Sequence, residues 1–314
     1  MNRIKIINVK NKCKTMKEVF REFLNSCRVK NLSEKTLTYY EDNYYEFAKF
    51  YDDENLINSI TKETVESYIL HLKNNTGNND RSINTRLSAL RTFLYFAMKE
   101  NYIEEFKISL IKAVETIKET YTEEELKLLL QKPNLKKCSF PEYRDWTIIA
   151  YIIATGNRLS SVINIQIKDV DLDSQIIYLR HTKNKKQQIV VLSNSIIKIL
   201  REYLPIRSGS SEDYLFCNQY GSKLTTNALE TSIARYNKRK GVNKKSIHLL
   251  RHTFTKMAIN NDMPLFNVMS ALGHSDVSMT KKYYNIYNNE LKQNWDKYNP
   301  LENLVIVKKS IKMR

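Results

Sequence analysis

Hydrophobic positions in the first hundred residues recur every three to four residues, which predicts amphipathic helices. The first is expected over about 15–28, and the second follows Ser33, a good N-cap residue. A third starts near Thr61 and ends around the polar stretch 74–80, and a fourth covers about 81–98. The apolar face of the second helix consists of Leu37, Tyr40, Tyr44, Phe47 and Tyr51, and that of the fourth of Ile83, Leu87, Leu90 and Leu94.

The polar face of the fourth predicted helix carries side chains suited to DNA. They are spaced by three and four residues: Arg81, Asn84, Ser88 and Arg91. Arg, Asn and Ser read base edges or bind phosphates in protein–DNA complexes. The alternative is an ordinary solvated helix face.

The pattern changes in the second half of the chain. Thr122 and Glu125 form a capping box, so a second domain is expected to start near 121. An apolar helix over about 140–154 precedes a short helix and a hairpin with strands at about 175–180 and 187–192. The predicted fold is mainly α with a small antiparallel β-sheet. The expected division is a basic N-terminal segment at 1–14, a helical domain at 15–105, a linker at 106–120, a second domain at 121–299 and a tail at 300–314.

Charge narrows the class of partner. Lys and Arg number 51 against 34 Asp and Glu, a net charge of +17 that indicates a polyanion, first of all nucleic acid. A Lys-rich proteome is the alternative. No apolar run reaches the roughly 18 residues of a membrane span, and no secretory leader is recognisable, so a soluble, intracellular protein is expected. The four cysteines form no Cys-x-x-Cys pair, which argues against a zinc ribbon or redox dithiol.

Two short clusters carry candidate chemistry. In ATGNRLSSV, 154–162, the glycine is expected to end one helix and to place Arg158 near the start of the next, where it can meet an anion. In HLLRH, His248 and Arg251 are three residues apart and share one helix face. Arg offers a planar fork to phosphate oxygens, and His can donate or shuttle a proton. His252 is interpreted as a packing residue, and His248 with His252 as metal ligands is the less favoured alternative.

A third cluster is LGHSDVSMTKKYYNIY at 272–287. An apolar stripe precedes it, and Gly273 is expected to end that helix. Ser275 can cap the next helix, which carries Tyr283, Tyr284 and Tyr287. The stripe consists of Leu265, Val268, Met269 and Leu272. A helical hairpin with aromatic core residues is the alternative interpretation.

Taken in order, these clusters resemble the boxes of the tyrosine recombinase (phage integrase) family. Thr155-Gly156-Asn157-Arg158 matches Thr-Gly-x-Arg, HLLRH matches His-x-x-Arg-His, and Leu272-Gly273-His274 is followed nine residues later by Tyr283. The family's hairpin lysine matches Lys183, with Lys185 and Lys186 as rivals. One position departs, because Ser161 stands where the family usually has Glu or Asp.

The resemblance implies a helical core-binding domain, a mixed α/β catalytic domain, and a reaction without metal or cofactor. Tyr283 would attack the scissile phosphate to form a 3′-phosphotyrosine. Each remaining site residue is expected to have one role: Arg158 and Arg251 hold the non-bridging oxygens, His248 is the general base, Lys183 the general acid, and His274 a hydrogen-bond donor to the phosphate.

The resemblance also implies partners. The substrate is expected to be double-stranded DNA with a short inverted-repeat core site, since the short N-terminus leaves no room for an arm-binding domain. A homotetramer, with a dimer on each site, would form through the tail 300–314, whose apolar run covers 304–307. Packing of this tail within its own chain is the alternative. No membrane is involved, and the expected location is the cytoplasm of a bacterium or archaeon, at the nucleoid.

Several functions stay open on the sequence alone. The reaction can be integration, excision, inversion or dimer resolution, and the host a mobile element or a chromosome-maintenance system. Rival hypotheses are a catalytically silent DNA-binding protein of the same fold, a relaxing enzyme like a type IB topoisomerase, and a structural helical protein.

Overall fold

The computed structural model describes residues 14–113, 119–180, 187–274, 276–277 and 280–281. The chain divides into two compact units, Met1–Thr116 and Ile117–Arg314. The division falls inside the segment 106–120 that was expected to link two domains. The basic segment before residue 14 and the tail 300–314 lie outside the described residues.

The first unit is built from four helices around an aromatic core. Each begins at a side chain that caps its first turn, and these N-caps are Thr15, Ser33, Thr61 and Asn79. The predicted helices are confirmed to within about two residues, except that the second ends at Ala48, before Tyr51, which was expected on its apolar face. They are α1 (Met16–Val29), α2 (Glu34–Ala48), α3 (Lys62–Asn75) and α4 (Asp80–Lys99).

Phe20 of α1 connects three of these helices. Its ring stacks on Tyr44 of α2 at a centroid distance of 3.7 Å and meets the edge of Phe93 of α4 at 5.2 Å. All three rings are buried, as is the predicted apolar face of α4. Each buried aromatic side chain removes a large apolar area from water and so contributes strongly to the stability of this unit.

The second unit packs its helices around α6 (Phe140–Thr155), which contacts α5, α8, α9 and α10. This central position explains why α6 is buried nearly all round and shows little amphipathic pattern. The other helices described in this unit are α5 (Glu123–Leu130), α7 (Leu159–Val162), α8 (Asn194–Arg207), α9 (Thr226–Arg239), α10 (His248–Asn260) and α11 (Leu265–Leu272).

A small antiparallel sheet lies beside these helices. Its strands are β1 (Val170–Asp171), β2 (Ile176–Leu179) and β3 (Gln188–Val191), in the order β1-β2-β3. The hairpin predicted from the sequence is therefore confirmed, and its register runs from Ile176 paired with Val191 to Leu179 paired with Gln188. β1 was missed, because two residues are too few to show alternation. Gln175, expected in a strand, has φ 59 and belongs to a turn instead.

Two further findings concern membrane insertion and metal binding. No described helix has the length and hydrophobicity that crossing a bilayer requires. Among the described residues, no group of three or more His, Cys, Asp or Glu side chains could hold a metal ion.

Candidate active site

The first box lies where α6 ends. Gly156 is the C-cap and adopts the left-handed conformation, with φ 66. A Cβ at this position would lie 2.3 Å from the ring of Phe254 on α10, so only glycine allows the two helices to approach this closely. Arg158 follows as the N-cap of α7. Because α7 has only four residues, side chains rather than a helix N-terminus are available to bind an anion here.

The second box forms the first turn of α10. Arg251 is only 7% exposed. Its Nη1 donates to the carbonyl oxygen of Gly156 at 2.7 Å, and its Nη2 donates to that of Leu272 at 2.9 Å. His248, the first residue of α10, is exposed. His252 is buried, in keeping with the packing role predicted for it.

The third box begins where α11 ends. Gly273 is the left-handed C-cap of α11, with φ 58, and His274 follows it. His274 Nε2 lies 2.8 Å from Arg251 Nη2. Arg158 Nη1 donates to the carbonyls of Leu272 and Gly273 at 3.2 and 3.3 Å. The three boxes therefore meet, and both guanidinium groups share the Leu272 carbonyl.

His274 is neutral in this arrangement. Burial lowers its pKa to about 4, assisted by the positive charges of Arg251 and Arg158. Arginine has only donors, so Nε2 accepts from Arg251 and the imidazole proton is assigned to Nδ1. The other ring nitrogen, Nδ1, lies 2.8 Å from Thr280 Oγ1.

Two arginines that share one carbonyl acceptor, with a histidine 2.8 Å from one of them, form a candidate site for an anion with several oxygens. Guanidinium groups bind phosphate oxygens through paired N–H donors. In the DNA-free protein, backbone carbonyls accept hydrogen bonds from some of these N–H groups. A phosphate at this position would replace neutral acceptors with charged ones, which form stronger hydrogen bonds.

Two residues at this site were not identified from the sequence. Gln188 of β3 donates to the carbonyls of Ser270 and Ala271 at 2.9 and 3.1 Å, which fastens the hairpin to the last turn of α11. Thr280 is completely buried beneath His274. Neither shows a sequence signal, apart from the position of Thr280 between the third box and the candidate nucleophile.

The predicted site residues therefore fall into three groups. Arg158, Arg251 and His274 are brought together, while exposed His248 lies one helical turn before Arg251. Lys183, its rivals Lys185 and Lys186, and Tyr283 lie outside the described residues.

The predicted DNA-reading face of α4 has a mixed outcome. Arg81 is exposed, and Arg91 is partly exposed. The Asn84 amide has a partner within its own chain, because Oδ1 accepts from the Ile111 N–H and Nδ2 donates to the Ile111 carbonyl, both at 2.9 Å. Ser88 Oγ donates to the Asn84 carbonyl at 2.7 Å. A groove contact by Asn84 would break two hydrogen bonds, and the role of this face stays a prediction.

Comparison with known proteins defines the class. The sequence model of the phage integrase family matches residues 119–290, and that of the phage integrase N-terminal SAM-like domain matches residues 20–101. The chain belongs to the phage integrase family, whose members are tyrosine recombinases. It is thus a site-specific recombinase, an enzyme that cleaves and rejoins DNA strands, with the fold predicted from the sequence.

Named relatives cover nearly the whole chain. Tyrosine recombinase XerD of Staphylococcus haemolyticus (strain JCSC1435) is 29% identical over 297 residues, covering 91% of this chain and 99% of that protein. Tyrosine recombinase XerC of Staphylococcus aureus (strain bovine RF122 / ET3-1) is 30% identical over 292 residues, covering 88% and 95%. The Tn1549 transposon integrase, solved in complex with transposon right end DNA, shares the fold with a TM-score of 0.73 at 17% identity, covering 89% of this chain and 99% of that one.

Proposed function

We propose that this recombinase cuts a specific double-stranded DNA site by attack of Tyr283 on the scissile phosphate. A bond forms between the phenolic oxygen and phosphorus, and the bond from phosphorus to the 5′-oxygen breaks. The products are a 3′-phosphotyrosine and a free 5′-hydroxyl, and the reverse attack by a 5′-hydroxyl rejoins the strands. The observation that carries this proposal is the convergence of Arg158, Arg251 and His274 on one anion site.

The described side chains suit the charge changes of this reaction. Arg158 and Arg251 would donate to the non-bridging oxygens, where negative charge accumulates in the transition state. A tyrosine phenol has a pKa of about 10, and two nearby guanidinium groups favour its ionised form. His248 is proposed as the base that takes the phenolic proton, and its exposure leaves it accessible to an incoming substrate. His274 would donate a hydrogen bond to the phosphate.

Lys183 is proposed as the acid that protonates the leaving 5′-oxygen. Lys183→Ala should slow cleavage, and a 5′-bridging sulfur should restore much of the rate, because a thiolate leaves without protonation. Lys185→Ala and Lys186→Ala are the matched controls and should behave like wild type on both substrates. Rescue of one of these instead would move the role to that lysine, and no rescue of Lys183→Ala would exclude it as the acid.

The proposed substrate is duplex DNA with a short inverted-repeat core site, bound in the cytoplasm at the nucleoid of a bacterium or archaeon. Support comes from the net charge of +17 and from the DNA complex of the Tn1549 transposon integrase. The Tn1549 integrase belongs to a transposon, which favours a mobile element as the host. A chromosome-maintenance system is the alternative.

The proposed assembly is a homotetramer, a dimer on each site, joined through the tail 300–314. The apolar run at 304–307 favours docking on a neighbouring protomer, and packing within its own chain is the alternative. Deleting 300–314 should abolish tetramers on DNA while leaving binding to a single site. Tetramers and cleavage that both survive the deletion would exclude this role.

Covalent capture tests the central proposal. SDS-resistant protein–DNA adducts are isolated from cells expressing the protein, the DNA is sequenced, and the modified peptide is mapped. Adducts on Tyr283 at one short recurrent site are expected, with none from the Tyr283→Phe variant. Adducts on Tyr284 or Tyr287 would reassign the nucleophile.

Two other outcomes would change the function. Adducts scattered over many sites would favour a relaxing enzyme. Firm DNA binding without any adduct would favour a silent DNA-binding protein and direct attention to Ser161, where the family usually has an acidic residue.

A further inference from the structure

Both nitrogens of the His274 ring have a partner. Nε2 faces Arg251 Nη2, and Nδ1 faces Thr280 Oγ1, each at 2.8 Å. Thr280 lies six residues after His274, and its side chain is completely buried. The chain therefore returns to the ring and covers the nitrogen that does not face the arginines.

The direction of these hydrogen bonds follows from the donors available. A guanidinium cannot accept, so Nε2 accepts from Arg251 and Nδ1 carries the proton. The Thr280 oxygen then accepts from Nδ1–H. Among the described residues, the charged groups that act on this ring are Arg251 and Arg158, both positive, and they favour the neutral form.

This arrangement is opposite to the one that the proposed reaction needs. A histidine that donates to a phosphate through Nε2 must carry a proton on Nε2, whereas here Nε2 accepts. When a phosphate accepts the hydrogen bonds of the Arg251 guanidinium, Nε2 of His274 loses its partner. The ring can then gain a second proton or move its proton from Nδ1 to Nε2.

A hydroxyl is suited to both changes. It has one rotatable proton and two lone pairs. It can accept from Nδ1–H when the ring is doubly protonated, and it can donate to Nδ1 when the proton has moved to Nε2. A methyl group in its place would leave a buried ring nitrogen without a partner, which is costly.

We infer that Thr280 is a positioning residue for His274. The Thr280 hydroxyl keeps Nδ1 hydrogen-bonded while Nε2 changes from accepting a hydrogen bond from Arg251 to donating one to the scissile phosphate. This inference rests on the proposed role of His274 as a phosphate donor. The serine hydroxyl preserves the function, and valine, which has nearly the same shape as threonine, removes it.

The tautomer is measured without DNA. The full-length protein is labelled with 15N at histidine, and long-range 1H–15N spectra at neutral pH distinguish a protonated from an unprotonated ring nitrogen. The chain has five histidines, and the His274 signals are those that disappear in His274→Gln. Wild type and Thr280→Ser should show a single ring form with the proton on Nδ1.

The Thr280→Val variant should keep the proton on Nδ1, because Arg251 still donates to Nε2, but its Nδ1 signals should shift, because Nδ1–H has lost its acceptor. Thr147→Val is the matched control, because Thr147 is equally buried and its hydroxyl donates to the Tyr143 carbonyl within α6. It should leave the His274 spectrum unchanged. An unchanged His274 spectrum in Thr280→Val would overturn the inference.

Single-turnover cleavage of the captured DNA site supplies the second readout. Thr280→Val should slow cleavage on the order of 10-fold, and Thr280→Ser should stay within about 3-fold of wild type. In the His274→Gln background, Thr280→Val should have no further effect, because it acts through the ring.

These outcomes distinguish the role of His274 from that of Thr280. If His274→Gln cleaves at the wild-type rate, the proposed role of His274 is wrong. If His274→Gln is slow but Thr280→Val is not, or if the two defects multiply, the role inferred for Thr280 is wrong while that of His274 stands.

Discussion

At the scale of single residues, the site depends on what arginine can do and lysine cannot. Arg251 donates in three directions from one planar group, to the Gly156 and Leu272 carbonyls and to His274. These contacts hold three separate chain segments around one point. A single ammonium group at the end of a flexible stem cannot reach all three acceptors with the same geometry.

Arg251→Lys should therefore lower the cleavage rate by about 100-fold or more, although the charge is kept. It should also lower the free energy of unfolding by about 1–3 kcal/mol, because buried carbonyls lose their donors. Single-turnover cleavage and urea denaturation measure the two effects. The same substitution at exposed Arg235 of α9 is the control and should change neither. Wild-type cleavage by Arg251→Lys would show that charge alone is sufficient.

The meeting of Arg158, Arg251 and His274 could be predicted because the three motifs, each weak alone, occur in a specific order. Thr280 could not, because its role depends on how the chain returns after His274 rather than on any spacing rule. Asn84 shows the converse, since its spacing on α4 indicated a DNA-facing residue while its amide is hydrogen-bonded to Ile111.

At the scale of secondary-structure elements, the end of α11 is fixed by a close contact with β3. Gly273 lies in the left-handed region, and a Cβ there would be 2.4 Å from Gln188 Oε1. Gln188 in turn binds two carbonyls of the last turn of α11. A substitution at Gly273 must therefore strain the backbone and displace the glutamine together.

Gly273→Ala should lower the free energy of unfolding by about 2–3 kcal/mol, from backbone strain of about 1 kcal/mol and the loss of the Gln188 contacts. Gly221→Ala is the control, because Gly221 also has positive φ but a Cβ added there would have no other atom within 4 Å. It should show the backbone strain alone.

In a Gln188→Ala background, Gly273→Ala should lower the free energy of unfolding by no more than Gly221→Ala does in the wild-type protein. Thermal and urea unfolding of the four proteins complete this cycle. An equal cost of Gly273→Ala in both backgrounds would show that Gln188 does not restrict this position.

The four helices of the first unit were well predicted at this scale, because each combines an apolar period with a capping side chain at its start. The sheet was predicted only in part. β1 has two residues, and its existence depends on pairing with β2 rather than on its own sequence.

At the scale of the whole molecule, the two units have separate cores. The buried aromatic cluster around Phe20, Tyr44 and Phe93 lies within Met1–Thr116. A second cluster surrounds α6 within Ile117–Arg314. A unit with its own core is able to fold alone.

Residues 1–116 expressed alone should therefore unfold in one cooperative thermal transition, with helical circular dichroism. Residues 117–314 should do the same. Phe20→Ala should lower the melting temperature of the first fragment, since a buried Phe→Ala change costs about 3–5 kcal/mol, and the matching transition of the full-length protein should move with it. A first fragment that is unfolded alone would show that its stability depends on the second unit.

The function class was also predictable at this scale, from charge and from the order of three boxes. The DNA sequence recognised was not, because base contacts depend on side-chain placement at a groove and not on residue type alone.

The acceptor shared by Arg158 and Arg251 is a main-chain oxygen, the carbonyl of Leu272. Every amino acid supplies this atom, so no point mutation at position 272 can delete it. A substitution at 272 therefore acts through how well the new side chain fills its buried space, while the resting arrangement of the arginines depends on the backbone. An apolar side chain of similar size at this position should keep both arginines in place until a phosphate arrives.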